Sequence, residues 1–136
     1  MEQKDYLQRE IERIGLIISA IRQKLFGGKE NLAITIEKRM DAIKEMLFYE
    51  INFDLDKFLV LDMEESKNYV DKFEGFNAEN IERLAECIAQ IGFKYESDKS
   101  KNYLKKALHL YELSASKSKT YSFERERNIM TIKSVL

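Results

Sequence analysis

The chain contains no proline, a single cysteine, a single histidine and five glycines among its 136 residues. Without proline, and without an Asn-Gly or Asp-Gly dipeptide, the usual helix breakers and tight hairpin turns are missing, whereas the helix formers Leu, Ile, Ala, Glu and Lys abound. The expectation is an all-α protein. Cys87 has no cysteine to pair with, and it falls on the apolar side of an expected helix, so it reads as core packing rather than as a reactive thiol. No apolar run is long enough for a bilayer: residues 14–21, the longest uncharged stretch, give eight residues between Arg13 and Arg22. Charges at Glu2, Lys4, Asp5, Arg9, Glu10 and Glu12, with no small-residue cleavage site after the apolar run, argue against a leader peptide. A soluble, cytoplasmic protein with no membrane partner is expected. The length suits one domain over 1–136 that buries roughly two-thirds of its unfolded surface, divided into an N-terminal helix pair, 1–51, and further helices over 62–136.

The net charge of −1 conceals a segregation along the chain. Residues 1–40 carry a balance of +2, residues 41–86 a balance of −8 and residues 87–136 a balance of +5. So acidic a middle argues against nucleic-acid binding by the whole domain, and leaves a local basic face toward the C-terminal end.

Apolar spacing predicts five to six helices. The first covers residues 6–26, with Asp5 as N-cap and Gln8 reaching back, and ends at Gly27 and Gly28. Its residues Leu7, Ile11, Ile14, Ile18, Ile21 and Leu25 alternate steps of four and three, which is either a core stripe of a bundle or a heptad seam for a second copy. A second helix should start near Glu30 or Asn31 and run to about Glu50, burying Leu32, Ile36, Met40, Ile43, Leu47 and Ile51. Residues 52–61 read as a turn and a short helical piece, with a buried strand as the alternative. Asp62 with Glu65 caps a third helix that Gly75 closes, and Asn77 caps a fourth with Ile81, Leu84, Ala85, Ile88, Ile91 and Tyr95 inside. Glu79, Glu82, Arg83 and Glu86 form its solvated side. A fifth, capped by Ser97 or Asp98, carries Leu104, Ala107, Leu108 and Tyr111 to about Ser116, and a last one begins at Phe123 behind Ser122 or Thr120.

Leu84, Cys87, Ile88 and Ile91 followed by Ser100, Leu104 and Ala107 resemble the contact positions of one tetratricopeptide hairpin. The pattern departs at Ile88, which holds the glycine position, and no second copy follows at an offset of about 34 residues, so a repeat array is not implied. The fold class is therefore an all-α bundle with a tetratricopeptide-like C-terminal hairpin. Tyr6, Leu7, Arg9, Ile11, Glu12 and Ile14 at one end, with Ala107, Leu108, Leu110, Tyr121, Ser122, Glu124 and Arg125 at the other, also resemble an uncharacterised family of short bacterial helical proteins. That resemblance implies the fold and carries over no functional residue.

Reactive chemistry is poorly supplied. His109 is the only imidazole, with Glu112 three residues on, whereas a zinc or di-iron site draws several ligands from different helices. A half-exposed surface histidine is the plainer reading. Asp54, Asp56, Asp62, Glu64 and Glu65 lack the glycine and spacing of a calcium loop, and Phe58 to Leu61 interrupts them, while helix capping accounts directly for Asp54 or Asp56 and for Asp62. Gly27-Gly28-Lys29 is too short to cradle phosphate. Cys87 with His109 lacks an orienting third group. No catalytic, cofactor or metal residue is assigned. Lys101, Lys105, Lys106, Lys117, Lys119, Arg125 and Arg127, joined by Lys99 and with Tyr103 or Tyr121 for stacking, could form a basic face for nucleic acid. The reading that follows is a non-enzymatic protein interaction module that self-associates, with a nucleic-acid accessory protein as the alternative and a ligand sensor or enzyme third.

Overall fold

The computed structural model describes residues 2–26, 36–94 and 98–136, and the side chains of residues 5–23, 38–94 and 98–136. These form seven α-helices and no strand: α1 (Glu2–Phe26), α2 (Ile36–Ile51), α3 (Leu55–Leu59), α4 (Met63–Asp71), α5 (Ala78–Lys94), α6 (Asp98–Lys117) and α7 (Phe123–Val135). The architecture is all-α, and the short α3 raises the helix count above the five or six expected. Asp5 is not the cap of α1, because nothing before it breaks the helix and Glu2 already belongs to it. The expected start of the second helix, the glycine pair, Leu32, Tyr95 and Ser97 lie outside the described residues, as do the side chains of Leu25 and Ile36.

Local chemistry decides where the central helices begin and end. Asn52 closes α2 with φ at 67°, a left-handed conformation that asparagine tolerates, while its amide donates to Phe48 O at 3.0 Å. The reversal sends Phe53 into the core, where its ring lies 5.4 Å from Phe58, 5.2 Å from Tyr69 and 5.4 Å from Phe73. Residues 52–61 are thus the turn and short helix that their pattern suggests. Asp54 accepts the Lys57 amide at 3.1 Å to start α3, and Asp62 with Glu65 forms a complete capping box on α4. Asn77 caps α5 through the Asn80 amide at 3.0 Å, and Ser122 caps α7 through the Arg125 amide at 3.2 Å.

Helices α5 and α6 form an antiparallel hairpin. Ser100 at the start of α6 donates to Gly92 O near the end of α5 at 2.6 Å, and Ser114 near the end of α6 donates to Ala78 O at the start of α5 at 2.7 Å. Helix α1 crosses α5 over Ile14, Ile18 and Ile21, all at most 2 % exposed. Asn80 pins that crossing: its fully buried amide donates to Ile11 O at 2.9 Å and to Gly75 O at 2.8 Å. Gly75 is glycine because a side chain has nowhere to go, since a Cβ there would lie 2.7 Å from Glu10 O. One cluster of buried apolar side chains draws on all seven helices.

Candidate functional site

Among the described residues five polar side chains are buried, and Lys106, Arg125 and Asn80 are the three largest of them. Lys106 falls between Tyr103 and Leu110 on the inner stripe of α6, three and four residues from each, and is 3 % exposed. Its ammonium donates to Leu61 O, at the turn between α3 and α4, and to Ser66 Oγ on α4, and stands 4.9 Å over the Phe58 ring. Burial pulls the Lys106 ammonium below its usual range, opposed by the Asp62 and Glu65 carboxylates. Arg125, 5 % exposed, shares the inner stripe of α7 with Ile129 and Ile132, donates to Thr120 O at 3.1 Å and faces Glu82 at 3.9 Å. Asn80 is the third. Their positions in the apolar stripes were the available signal, at i+3 and i+4 from core residues, but their polar character places them outside in a reading of type alone.

Ser66, which accepts from the Lys106 ammonium, lines a groove between α4 and α6. The groove encloses about 460 Å³ and its lining is mostly apolar, with Phe58, Met63, Leu110 and Leu113 as its body and Glu64, Lys67 and Glu112 at the rim. This volume lies in the range of sites that hold a small molecule or a pair of side chains. His109 forms part of the wall; burial first, then the Lys106 charge, holds its imidazole below the usual range, with Glu112 acting the other way. Its Nδ1 is buried with no hydrogen-bond partner. A neutral imidazole therefore faces an apolar space edged by carboxylates. His109 is half-buried as expected, but in a groove wall rather than on open surface.

Two further depressions are more polar. One of about 190 Å³ lies beneath α7 and brings Arg22, Glu86, Tyr111 and Asn128 together. Here Arg22 pairs with Glu86 at 2.7 Å, and burial raises the carboxyls of both Glu82 and Glu86 above their usual range. Both are half-buried rather than fully solvated, Glu82 beside Arg125 of α7 and Glu86 beside Arg22 of α1. The other, about 640 Å³, is a wide depression over Gly15 between α1 and α5, bordered by Gln8, Glu12, Glu79 and Arg83.

The remaining expected sites fare differently. In the heptad seam Ile14, Ile18 and Ile21 are spent on the chain's own core, Ile11 is half-buried, and Leu7 stays 40 % exposed. The basic face is not assembled. Lys106 and Arg125 are buried, and Lys117 pairs with Asp71 at 2.7 Å. Lys101, Lys105, Lys119 and Arg127 are exposed, on α6, the following turn and α7. Tyr103 is buried, whereas Tyr121 is exposed. Cys87 is core, its thiol pushed up to about 12 by burial. Asp54 and Asp62 are caps, and among the described residues no three His, Cys, Asp or Glu side chains converge as metal ligands.

No protein-family model matches the chain, and neither the curated proteins nor the solved structures offer a match. Of the expected kinship, the all-helical architecture is what stands.

Proposed function

We propose that this chain is a non-enzymatic interaction module that seats apolar side chains of a protein partner in the groove between α4 and α6. The observation that carries the reading is the groove's composition: an apolar body of Phe58, Met63, Leu110 and Leu113 beneath a charged rim. Such a surface suits helix-in-groove recognition, in which side chains spaced by one and two turns enter while the backbone stays outside. The inert thiol of Cys87 and the internal commitment of Lys106 agree with a binding role. Within this proposal the α5–α6 hairpin is a tetratricopeptide-like support, and the module works by self-association in the cytoplasm of a bacterium.

The test is nuclear magnetic resonance of the Met63 methyl and the His109 imidazole during titration with a synthetic amphipathic helix bearing Phe and Met anchors. Both signals should shift and saturate, and Met63→Glu should abolish the response. Signals that ignore every such peptide, in a protein that is folded, would remove the reading.

A further inference from the structure

His109 is the chain's one imidazole, and α6 sets it in the wall of the groove with Leu110 and Leu113. A neutral imidazole carries hydrogen on a single ring nitrogen, whereas an imidazolium carries it on both and needs an acceptor for each. Nδ1 has no such acceptor: the atom is buried and makes no hydrogen bond. The groove's two serine hydroxyls are committed elsewhere, Ser66 Oγ to Lys106 and Leu61 O, and Ser116 Oγ to Leu113 O. Protonating the ring where it stands therefore puts a charge and an unmet donor into a wall whose body is Phe58, Met63, Leu110 and Leu113.

The charges around the ring do not reverse this. From α6 the Lys106 and Lys105 ammonium groups oppose a positive imidazole and Glu112 favours it; α4 adds Glu64 and Lys67 at the rim, and α3 contributes the uncharged Phe58. Glu64, Lys67 and Lys105 are exposed, so water and salt screen them, while Lys106 is buried and screened far less. Burial is the largest influence on the ring, and it too favours the neutral form. Apolar side chains seated in the groove take away more of the ring's water and make a charge there costlier still.

We infer that the groove is a pH-sensitive binding surface, which holds apolar side chains while His109 is neutral and releases them when the ring takes a proton. The inference rests on the groove reading above and adds its regulation. A protonated ring either turns out of the wall to find water, which removes part of the surface that the partner packs on, or stays and charges the pocket. Both weaken the complex. The coupling is reciprocal, so an occupied groove holds the ring neutral and binding to the protonated form expels the proton. One proton is involved, and the dissociation constant therefore rises by about tenfold per pH unit at most. Histidine is the side chain that changes charge in this range, and the window here lies below 6.5.

Calorimetric titration from about pH 7.5 to about pH 5 tests it, with an amphipathic helical peptide that bears Phe and Met anchors, lacks His, Asp and Glu, and is blocked at both ends. The wild type should bind several-fold more weakly at the acid end. Saturating peptide should also move the titration midpoint of the imidazole, read by nuclear magnetic resonance, to lower pH. His109→Gln cannot titrate, and its affinity should be flat across the same range, with circular dichroism at each pH showing both proteins folded. If that variant binds too weakly to measure, the midpoint in the wild type decides. Wild-type affinity that ignores pH overturns the inference, as does a midpoint that the peptide leaves in place or a slope that persists in His109→Gln. In each of those cases the peptide still binds and the groove reading stands. A wild type that shifts neither its Met63 methyl nor its His109 ring with peptide at any pH removes both.

Discussion

The ammonium of Lys106 caps the carbonyl of Leu61 from a helix 45 residues away in sequence. With the Lys106 bond to Ser66 Oγ and the Asn102 bond to Leu59 O at 3.4 Å, it ties α6 to α3 and α4, the elements that supply the groove. Replacing Lys106 with Ala removes the cation and leaves a cavity where its stem packed over Phe58, which should cost about 2–3 kcal/mol. Lys106→Met keeps the stem over Phe58 and removes a desolvated charge, while Ser66 Oγ still reaches Leu61 O at 3.5 Å, so its loss should be about 1 kcal/mol. Urea unfolding of the two variants decides this. Equal losses would mean that the stem contributes nothing.

At Gly75 the same measurement should find a steric limit. A methyl group there meets Ile14 Cδ1 at 2.5 Å and the Glu10 carbonyl oxygen at 2.7 Å, and a main-chain atom inside a helix cannot swing aside as a side-chain terminus can. Gly75→Ala should therefore destabilise by about 1–3 kcal/mol, as overpacking does elsewhere. A neutral result would show that the segment before α5 can retreat from α1.

What could be read from the sequence was mostly local. Asp62 with Glu65 and Asn77 cap the helices they were expected to cap, and of the pairs Asp54 or Asp56 and Ser122 or Thr120 the caps are Asp54 and Ser122, because a cap needs only a short polar side chain and its next three residues. The stripe of α5 was equally plain, as was the core role of Cys87. Long-range choices were not legible. The spacing of Ile14, Ile18 and Ile21 serves a core or a seam alike, and only the position of α5 decides for the core. Lys106 and Arg125 looked like members of a basic surface because residue type outweighed their place in the stripe. The groove joins α4 to a helix that begins more than twenty residues later, and no spacing within either helix announces it.

Acidity should act on the groove through His109. Its ordinary value is 6.5 and burial lowers it, so as pH falls below 6.5 the unfolded chain takes the proton first and stability declines. Glu86 works the other way: burial raises it from 4.5, the folded chain is protonated first as pH falls, and its contribution to stability rises. The two are separated by comparing wild type with His109→Gln, whose stability should lose less on going from pH 7 into the window below 6.5. Titration of the imidazole by nuclear magnetic resonance gives the sign directly. A midpoint at or above 6.5 would contradict the buried setting of the ring.

Cys87 provides a reporter for all of these. It is 2 % exposed, and burial with the nearby Glu86 charge pushes its thiol up to about 12, opposed by Arg22, so at pH 8 the native side chain is neither accessible nor ionised. A thiol reagent can then react only through opening of the α5–α6 core. When reclosing is fast, the labelling rate follows the free energy of that opening, and each 1.4 kcal/mol of destabilisation should speed it about tenfold. Lys106→Ala should consequently be labelled more than tenfold faster than wild type, and Lys106→Met by less than that factor, in the order set by urea unfolding. Labelling of the wild type at the rate of an unfolded thiol would mean that the hairpin opens without the rest of the core, and that the groove it supports is not a stable surface.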